Sequence, residues 1–411
     1  MCSRLFYGIE ITCRAFDQLV QQLEPIYNNT IRSIAGLLPS TPANAVVVES
    51  GVLPFRYKTA IAVCNRAISF LEHTKDDGSV AFIASEANRI LTSVADATLP
   101  PVVELHRNGP RSWQARSPKI DRKIENHFRK GGNPIIARAL FLERLRTRYP
   151  HSEIIYSDGS KAAGKVGIGV HGTGFQEHRS LADQCSVFTA EAAALLVAIS
   201  RPFERPVLIA TDSASTLLAL ESSRANHPWI QAAQDLIDDE TKNVTLTWIP
   251  GHTGIPGNEK ADALANLGRT SRRLTRGVPG ADAKHWVKTT VQNSWAEEWR
   301  TNRSLFIRKI KGTTDAWEDR QTRREQIVLS RLRTGHTRTS HDYTGGTSFR
   351  KTCETCGVFN SVEHMICECP TLEQLRTHYQ IGSIRNALNN DEAGETILIC
   401  FLKDAGLFTQ I

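Results

Sequence analysis

Apolar positions recur with a helical period over residues 12–35, where Phe16, Leu19, Val20, Leu23, Ile26, Ile31 and Ile34 share one stripe that ends at Gly36. Ser40-Thr41-Pro42 then reads as the cap and first residue of another helix, and residues 1–98 are predicted to be all-helical. From Pro100-Pro101 to Pro134 the chain is rich in Pro, Gly, Arg and Lys and keeps no steady apolar period, so it reads as a mobile basic linker. The pattern then changes. Glu153–Tyr156, Val166–Val170, Pro206–Ala210 and Val244–Trp248 are short apolar runs of strand type, and helical stretches at 187–200, 214–222, 228–240 and 257–267 alternate with them. That alternation predicts an α/β module over 151–270. Residues 283–335 return to helix, with Trp286, Trp295 and Trp299 near helical spacing.

No run of 18 apolar residues occurs, and Arg4, Glu10 and Arg14 interrupt the first sixteen positions. The expectation is a soluble intracellular protein of nucleus or cytoplasm, neither secreted nor membrane-associated. A chain of 411 residues with 40% hydrophobic and 23% charged positions has room for two to three domains, which excludes collagen, coiled coil and wholesale disorder. Charge is distributed in blocks. Residues 101–150 carry 12 Lys and Arg against 4 Asp and Glu, 151–270 carry 9 against 14, and 271–351 carry 18 against 8. An acidic module between basic flanks points to a polyanionic partner held by the flanks, because Lys and Arg release counterions from phosphates whatever the base sequence.

Four acids stand where a packed core should not hold them. Asp158 and Asp212 follow apolar strands, at the edge where α/β sheets build sites. Glu191 sits in a helix otherwise almost purely Ala, Leu, Val and Ile, with no Arg or Lys until Arg201. A carboxylate on such a face needs a partner, and a hard divalent cation supplies one while gathering other acids that would repel each other. Asp262 closes the run Gly251-His252-Thr253-Gly254-Ile255-Pro256-Gly257-Asn258-Glu259-Lys260-Ala261-Asp262.

His252, Asn258 and Asp262, spaced six and four apart, resemble the last motif of ribonucleases H. Tyr156-Ser157-Asp158-Gly159-Ser160, Thr189-Ala190-Glu191 and Ala210-Thr211-Asp212-Ser213 resemble that family's three earlier motifs, in order. The resemblance implies a ribonuclease H-like mixed five-stranded sheet with helices on both faces, the strand of Asp158 beside that of Asp212, flanked by mostly helical N- and C-terminal regions. It implies an endoribonuclease that hydrolyses the RNA strand of RNA–DNA hybrids, with Asp158, Glu191, Asp212 and Asp262 holding two Mg²⁺, or Mn²⁺ in their place. His252 would relay protons or help product leave, while Ser160 and Asn258 either touch nucleic acid or orient their neighbours. A catalytically decayed nucleic-acid-binding remnant is the alternative, and an integrase or transposase on the same fold is a third reading.

Cys353-x2-Cys356-x7-His364-x4-Cys369 has the ligand types of a closed, structural Cys₃His zinc site, with Cys367 competing for the last position. The run from His364 to Pro370 resembles the C-terminal segment of retrotransposons that lack long terminal repeats, and Leu329 to His336 resembles the same family's connecting helix and turn. Asn28 to Pro54 resembles the thumb that follows their polymerase, whose Tyr-x-Asp-Asp is missing; the adjacent Asp pairs are Asp76-Asp77 and Asp238-Asp239. The expected organisation is therefore a thumb remnant over 1–98, a basic linker over 99–150, the ribonuclease H domain over 151–270 and a basic helical connector over 271–350. A zinc segment over 351–375 and a tail over 376–411 complete it.

Overall fold

Six strands build the sheet that carries the acids: β1 (Lys119–Asp121), β2 (Glu153–Ala162), β3 (Lys165–Gly172), β4 (Phe175–Ser180), β5 (Val207–Thr211) and β6 (Val244–Trp248). Their order is β1-β6-β5-β2-β3-β4, parallel from β1 to β2 and antiparallel across β2, β3 and β4. This computed structural model describes residues 13–73, 78–106, 111–129, 133–239, 241–318, 322–344, 347–389 and 391–411. The first twelve residues and the Asp76-Asp77 pair lie outside the described residues.

β5 is buried at every position, as a continuously apolar run requires in the middle of a sheet covered on both faces. Alternation along β2 sorts the helices between those faces. A Cβ on Gly159 would sit 2.5 Å from the backbone nitrogen of Glu191, so Gly159 faces α7 (Val187–Ser200). Ser160 points the other way and hydrogen-bonds Asn266 of α10 (Pro256–Gly268). On β3, a Cβ at Gly169 would overlap the Ala261 carbonyl, which is why the glycine-spaced strand allows α10 to cross so closely. The expected mixed sheet with helices on both faces is present, with six strands in place of the five expected, because β1 adds to its edge beside β6.

Two strands beyond the four read from apolar runs complete it. β4 is Phe-Gln-Glu-His-Arg-Ser, an edge strand whose polar residues hide the period. β1 lies within the stretch expected to be a mobile linker, which holds regular structure instead. Lys119–Asp121 pairs with Thr245–Thr247, followed by α5 (Lys123–Arg129) and α6 (Pro134–Thr147). Ile124, Ala137 and Phe141 are buried against Leu208, Ala210, Ile249 and Ile255, and the Phe141 ring meets Tyr156 edge-on at 6.2 Å. The packed residues Ala137, Phe141 and Leu145 keep a four-residue spacing, but exposed Ile135, Ile136 and Leu142 on the other faces of α6 hide it, and Arg144 and Tyr149 are drawn in by hydrogen bonds to Asp121.

The described residues fall into two compact units. The unit just outlined comprises Cys64–Asn88 and Thr98–Val287. In it, α8 (Ala214–Glu221) and α9 (Pro228–Asp238) link β5 to β6. The other comprises the described residues of Met1–Val63, with Arg89–Ala97 and Lys288–Ile411. Its first helix runs from Phe16 to Ala35 and is capped by left-handed Gly36. Its core gathers Val328, Leu329 and Leu332 with Met365, Ile366, Leu388, Leu398, Phe401 and Leu402. Trp295 and Trp299 are fully buried in the same unit, with ring centroids 6.3 Å apart. Helix does not run unbroken over 283–335: Gly280–Thr301 and Arg323–Thr334 are separated by a short 3₁₀ turn at Phe306–Lys309 and irregular chain. No described helix is long and apolar enough to cross a membrane.

Candidate functional site

Register delivers the first two acids. β2 and β5 pair Tyr156 with Ala210 and Ser157 with Thr211, so Asp158 and Asp212 are the next residues on adjacent strands. Asp158 does not follow its strand, as the sequence suggested, but lies inside it, opposite Gly169. Ser-Asp-Gly-Ser has turn composition, yet here Gly159 serves the close approach of α7 rather than a bend.

Glu191 reaches the group from α7, which starts at Ser186, whose side chain accepts from the Thr189 N–H. Ser213 donates to the Glu191 carboxylate, and the Thr216 hydroxyl lies 3.4 Å from the same oxygen. Asp212 is held twice. The Trp248 indole donates to its carbonyl at 2.9 Å, and the amide of buried Asn258 hydrogen-bonds its side chain. Asp262 enters from α10, where Asn266 donates to it at 3.1 Å and in turn accepts from the Ser160 hydroxyl at 2.7 Å. Asn258 thus bonds a carboxylate directly, and Ser160 bonds the Asn266 side chain that bonds another. Ser213, Thr216, Trp248 and Asn266 were not singled out from sequence. Ser213 had a signal, as it directly follows Asp212, whereas Asn266 had none beyond sitting one turn after Asp262.

Crowding shows in the acidities. Burial, together with the charges of Asp212, Asp262 and Glu191, pushes Asp158 up to about 8. Burial also raises Glu191 and Asp212, against the hydrogen bonds from Ser213 and Asn258 and the nearby His252. Among the described residues, no Lys or Arg forms an ion pair with any of the four. Such a set is unfavourable alone and fits hard cations, which take carboxylate oxygens and cancel the repulsion.

His252 stands in a loop with φ of 52°, the left-handed region, and is exposed. A nitrogen of its ring and carboxylate oxygens of Glu259 and Asp262 all lie within 4.8 Å of one another. Glu259, which the sequence reading passed over, also accepts from the Gly254 N–H at 3.1 Å.

In the other unit, ligand atoms of Cys353, Cys356, His364 and Cys369 lie within 4.8 Å of one another. Cys367 is not in the group. The Cys369 sulfur is 4.0 Å from that of Cys353 and 3.9 Å from that of Cys356, near the edge of about 3.8 Å expected for a tetrahedron with 2.3 Å zinc–sulfur bonds. His364 is buried and its Nε2 has no hydrogen-bond partner, a vacancy that a metal bond would satisfy.

Residues 150–270 match the RNase H family model. That segment begins just before β2 and ends after α10, so it contains all four acids and His252 and leaves out β1, α5 and α6. The sheet is an RNase H-like fold, and the segment is an RNase H domain.

Proposed function

We propose that the RNase H domain is an active endoribonuclease that cuts the RNA strand of RNA–DNA hybrids, with Asp158, Glu191, Asp212 and Asp262 as ligands for two Mg²⁺. The domain match supports nuclease action on such hybrids at the level of the family. The observation that supports the finer reading is that Asp158 feels the charges of Asp212, Asp262 and Glu191, with no Lys or Arg among the described residues paired to any of the four. When bound, the two metal ions supply an activated water and offset charge on the departing oxygen.

The chain's own groups prepare that chemistry. Ser213 and Thr216 aim Glu191, Asn258 and Trp248 fix Asp212, and the Ser160–Asn266 pair fixes Asp262, so the acids lose little freedom when they engage. Exposed His252 stands beside Asp212 and Asp262, placed to relay a proton or to help the product leave. Burial around Asp158 keeps bulk water away from it.

We assign Cys353, Cys356, His364 and Cys369 to a structural zinc ion on their donor set and spacing. That cluster, with the resemblances noted in the thumb-like and Cys-Pro segments, supports descent from a retrotransposon polyprotein.

One assay tests the function: labelled RNA presented in hybrid, in duplex RNA and as a single strand, with and without Mg²⁺. Cleavage confined to hybrid and dependent on Mg²⁺ is expected. Equal cleavage of all three substrates, or none, rejects the proposal.

A further inference from the structure

Arg138 is a half-buried cation on α6, outside the segment that matches the family model. Its guanidinium packs against Gly254: a Cβ built there would lie 3.1 Å from Nη1 and 3.7 Å from Cζ. Gly254 has φ of 73° and is two residues from His252. Its N–H is taken by Glu259, which stands with His252 and Asp262. Three arginines of this flank are paired with acids. Arg111 pairs with Asp238, Arg122 with Glu125 and Glu221, and Arg144 with Asp121. Arg138 makes no hydrogen bond or ion pair with any described residue.

A guanidinium that is partly removed from water, held against a tight loop and left without an acid is poised for an anion from outside. It lies against the loop that carries His252, whose ring stands with Glu259 and Asp262, so an anion held there belongs to something that the site otherwise binds. We infer that Arg138 contacts a backbone phosphate of the nucleic acid beside the loop that carries His252, so that the substrate site of this chain extends beyond its RNase H domain onto α6. This inference rests on the function proposed above. Arginine suits the task, since its planar fork offers a phosphate two parallel donors. The buried face of α6 fixes the backbone from which it projects: Ala137 and Phe141, on either side of Arg138 in sequence, are fully covered.

The test uses the full chain and a labelled RNA–DNA hybrid, measuring KM and kcat in Mg²⁺ and equilibrium affinity over a KCl series. Arg138→Gln is expected to raise KM about five- to tenfold, with at most a twofold fall in kcat, and to flatten the slope of log affinity against log salt by about 0.9. Arg138→Lys, which keeps the charge without the fork, should recover the slope and part of the KM. A slope and KM equal to those of the wild type overturn the inference. So does a fall in kcat at unchanged slope, which would mean that Arg138 only braces the His252 loop. A wild-type chain that neither binds nor cuts hybrid overturns the proposed function and this contact together, whereas an active wild type with an indifferent Arg138 rejects the contact alone.

Discussion

Gly159 and Glu191 meet backbone to backbone: a Cβ on the glycine would stand 2.5 Å from the glutamate's nitrogen and 2.8 Å from the preceding carbonyl carbon. The residue after one acid of the cluster is therefore what lets another acid reach it. Gly159→Ala has no flexible side chain to displace, only the first turns of α7, so strand and helix must separate. A loss of about 1–3 kcal/mol in stability is expected, with a fall in hydrolysis of at least tenfold as Glu191 is displaced. Thermal unfolding and initial rates on hybrid check both, and a variant with unchanged rate would show that Glu191 is not needed at that distance.

Asp212→Asn leaves the hydrogen bond from Trp248 intact, because that bond goes to the backbone. The fold should persist. Hydrolysis should fall at least a hundredfold, since an amide neither neutralises nor bridges cations. Without metal the variant should melt higher than the wild type, as one like charge leaves the group. Retention of more than about a tenth of the wild-type rate would count against the two-metal assignment.

The raised acidity constant of Asp158 has a definite sign. Its folded value of about 8 lies above the roughly 3.9 of an unfolded aspartate, so the folded chain holds the proton more tightly. Its stabilising effect is complete below about pH 4 and is lost as pH rises through 8. Relative to an Asp158→Asn variant, metal-free wild type should therefore lose about 3–6 °C of melting temperature between pH 5 and pH 8; buried His227, held down to about 4, acts in the opposite sense over that range in both proteins and cancels from the difference. Adding Mg²⁺ at pH 8 should restore the lost stability, because the cation then takes the place of the proton. Differential scanning calorimetry of both proteins across pH reads these effects, and an Asp158→Asn variant with the same pH dependence as metal-free wild type would contradict the crowding.

Much of this was legible because strands and acids carry strong local signals. Pro206–Ala210 is an unbroken apolar run, Glu191 interrupts a run of Ala and Leu, and the spacing from His252 to Asp262 is a single short motif. What escaped depends on partners distant in sequence. β1 is three residues long and exists by pairing with Thr245–Thr247, more than a hundred positions away. β4 has no apolar alternation because it closes an edge. Asn266, which joins Ser160 to Asp262, is an ordinary polar residue on a helix until β2 is laid beside it.

Zinc should co-purify at one equivalent with reduced protein. Cys356→Ser should release it and loosen the segment around Thr352–Cys369, while hybrid cleavage by the RNase H domain falls by less than about twofold. Cys367→Ser should keep the metal, since Cys367 lies outside the group of four. Metal analysis of the two variants decides between Cys369 and Cys367, and reduced wild-type protein without zinc would reject the site.

The last prediction concerns where the nuclease module begins. The family match starts at residue 150, yet Ile124, Ala137 and Phe141 fill the sheet face formed by Leu208, Ala210, Ile249 and Ile255. A fragment over 145–272 would expose that apolar surface and also lose the pairing partner of β6. It should aggregate or melt far below a fragment over 111–287, which retains β1, α5 and α6. In the full chain, Phe141→Ala removes a ring that is 1% exposed and should destabilise the module by about 3–5 kcal/mol, although the side chain touches none of the four acids. Comparing solubility and unfolding of the two fragments, and denaturant midpoints of the substituted chain, gives the answer. If 145–272 proves as stable as 111–287, the basic stretch before residue 150 is an attachment and not part of the fold, and the placement of Arg138 beside the His252 loop would lose its support.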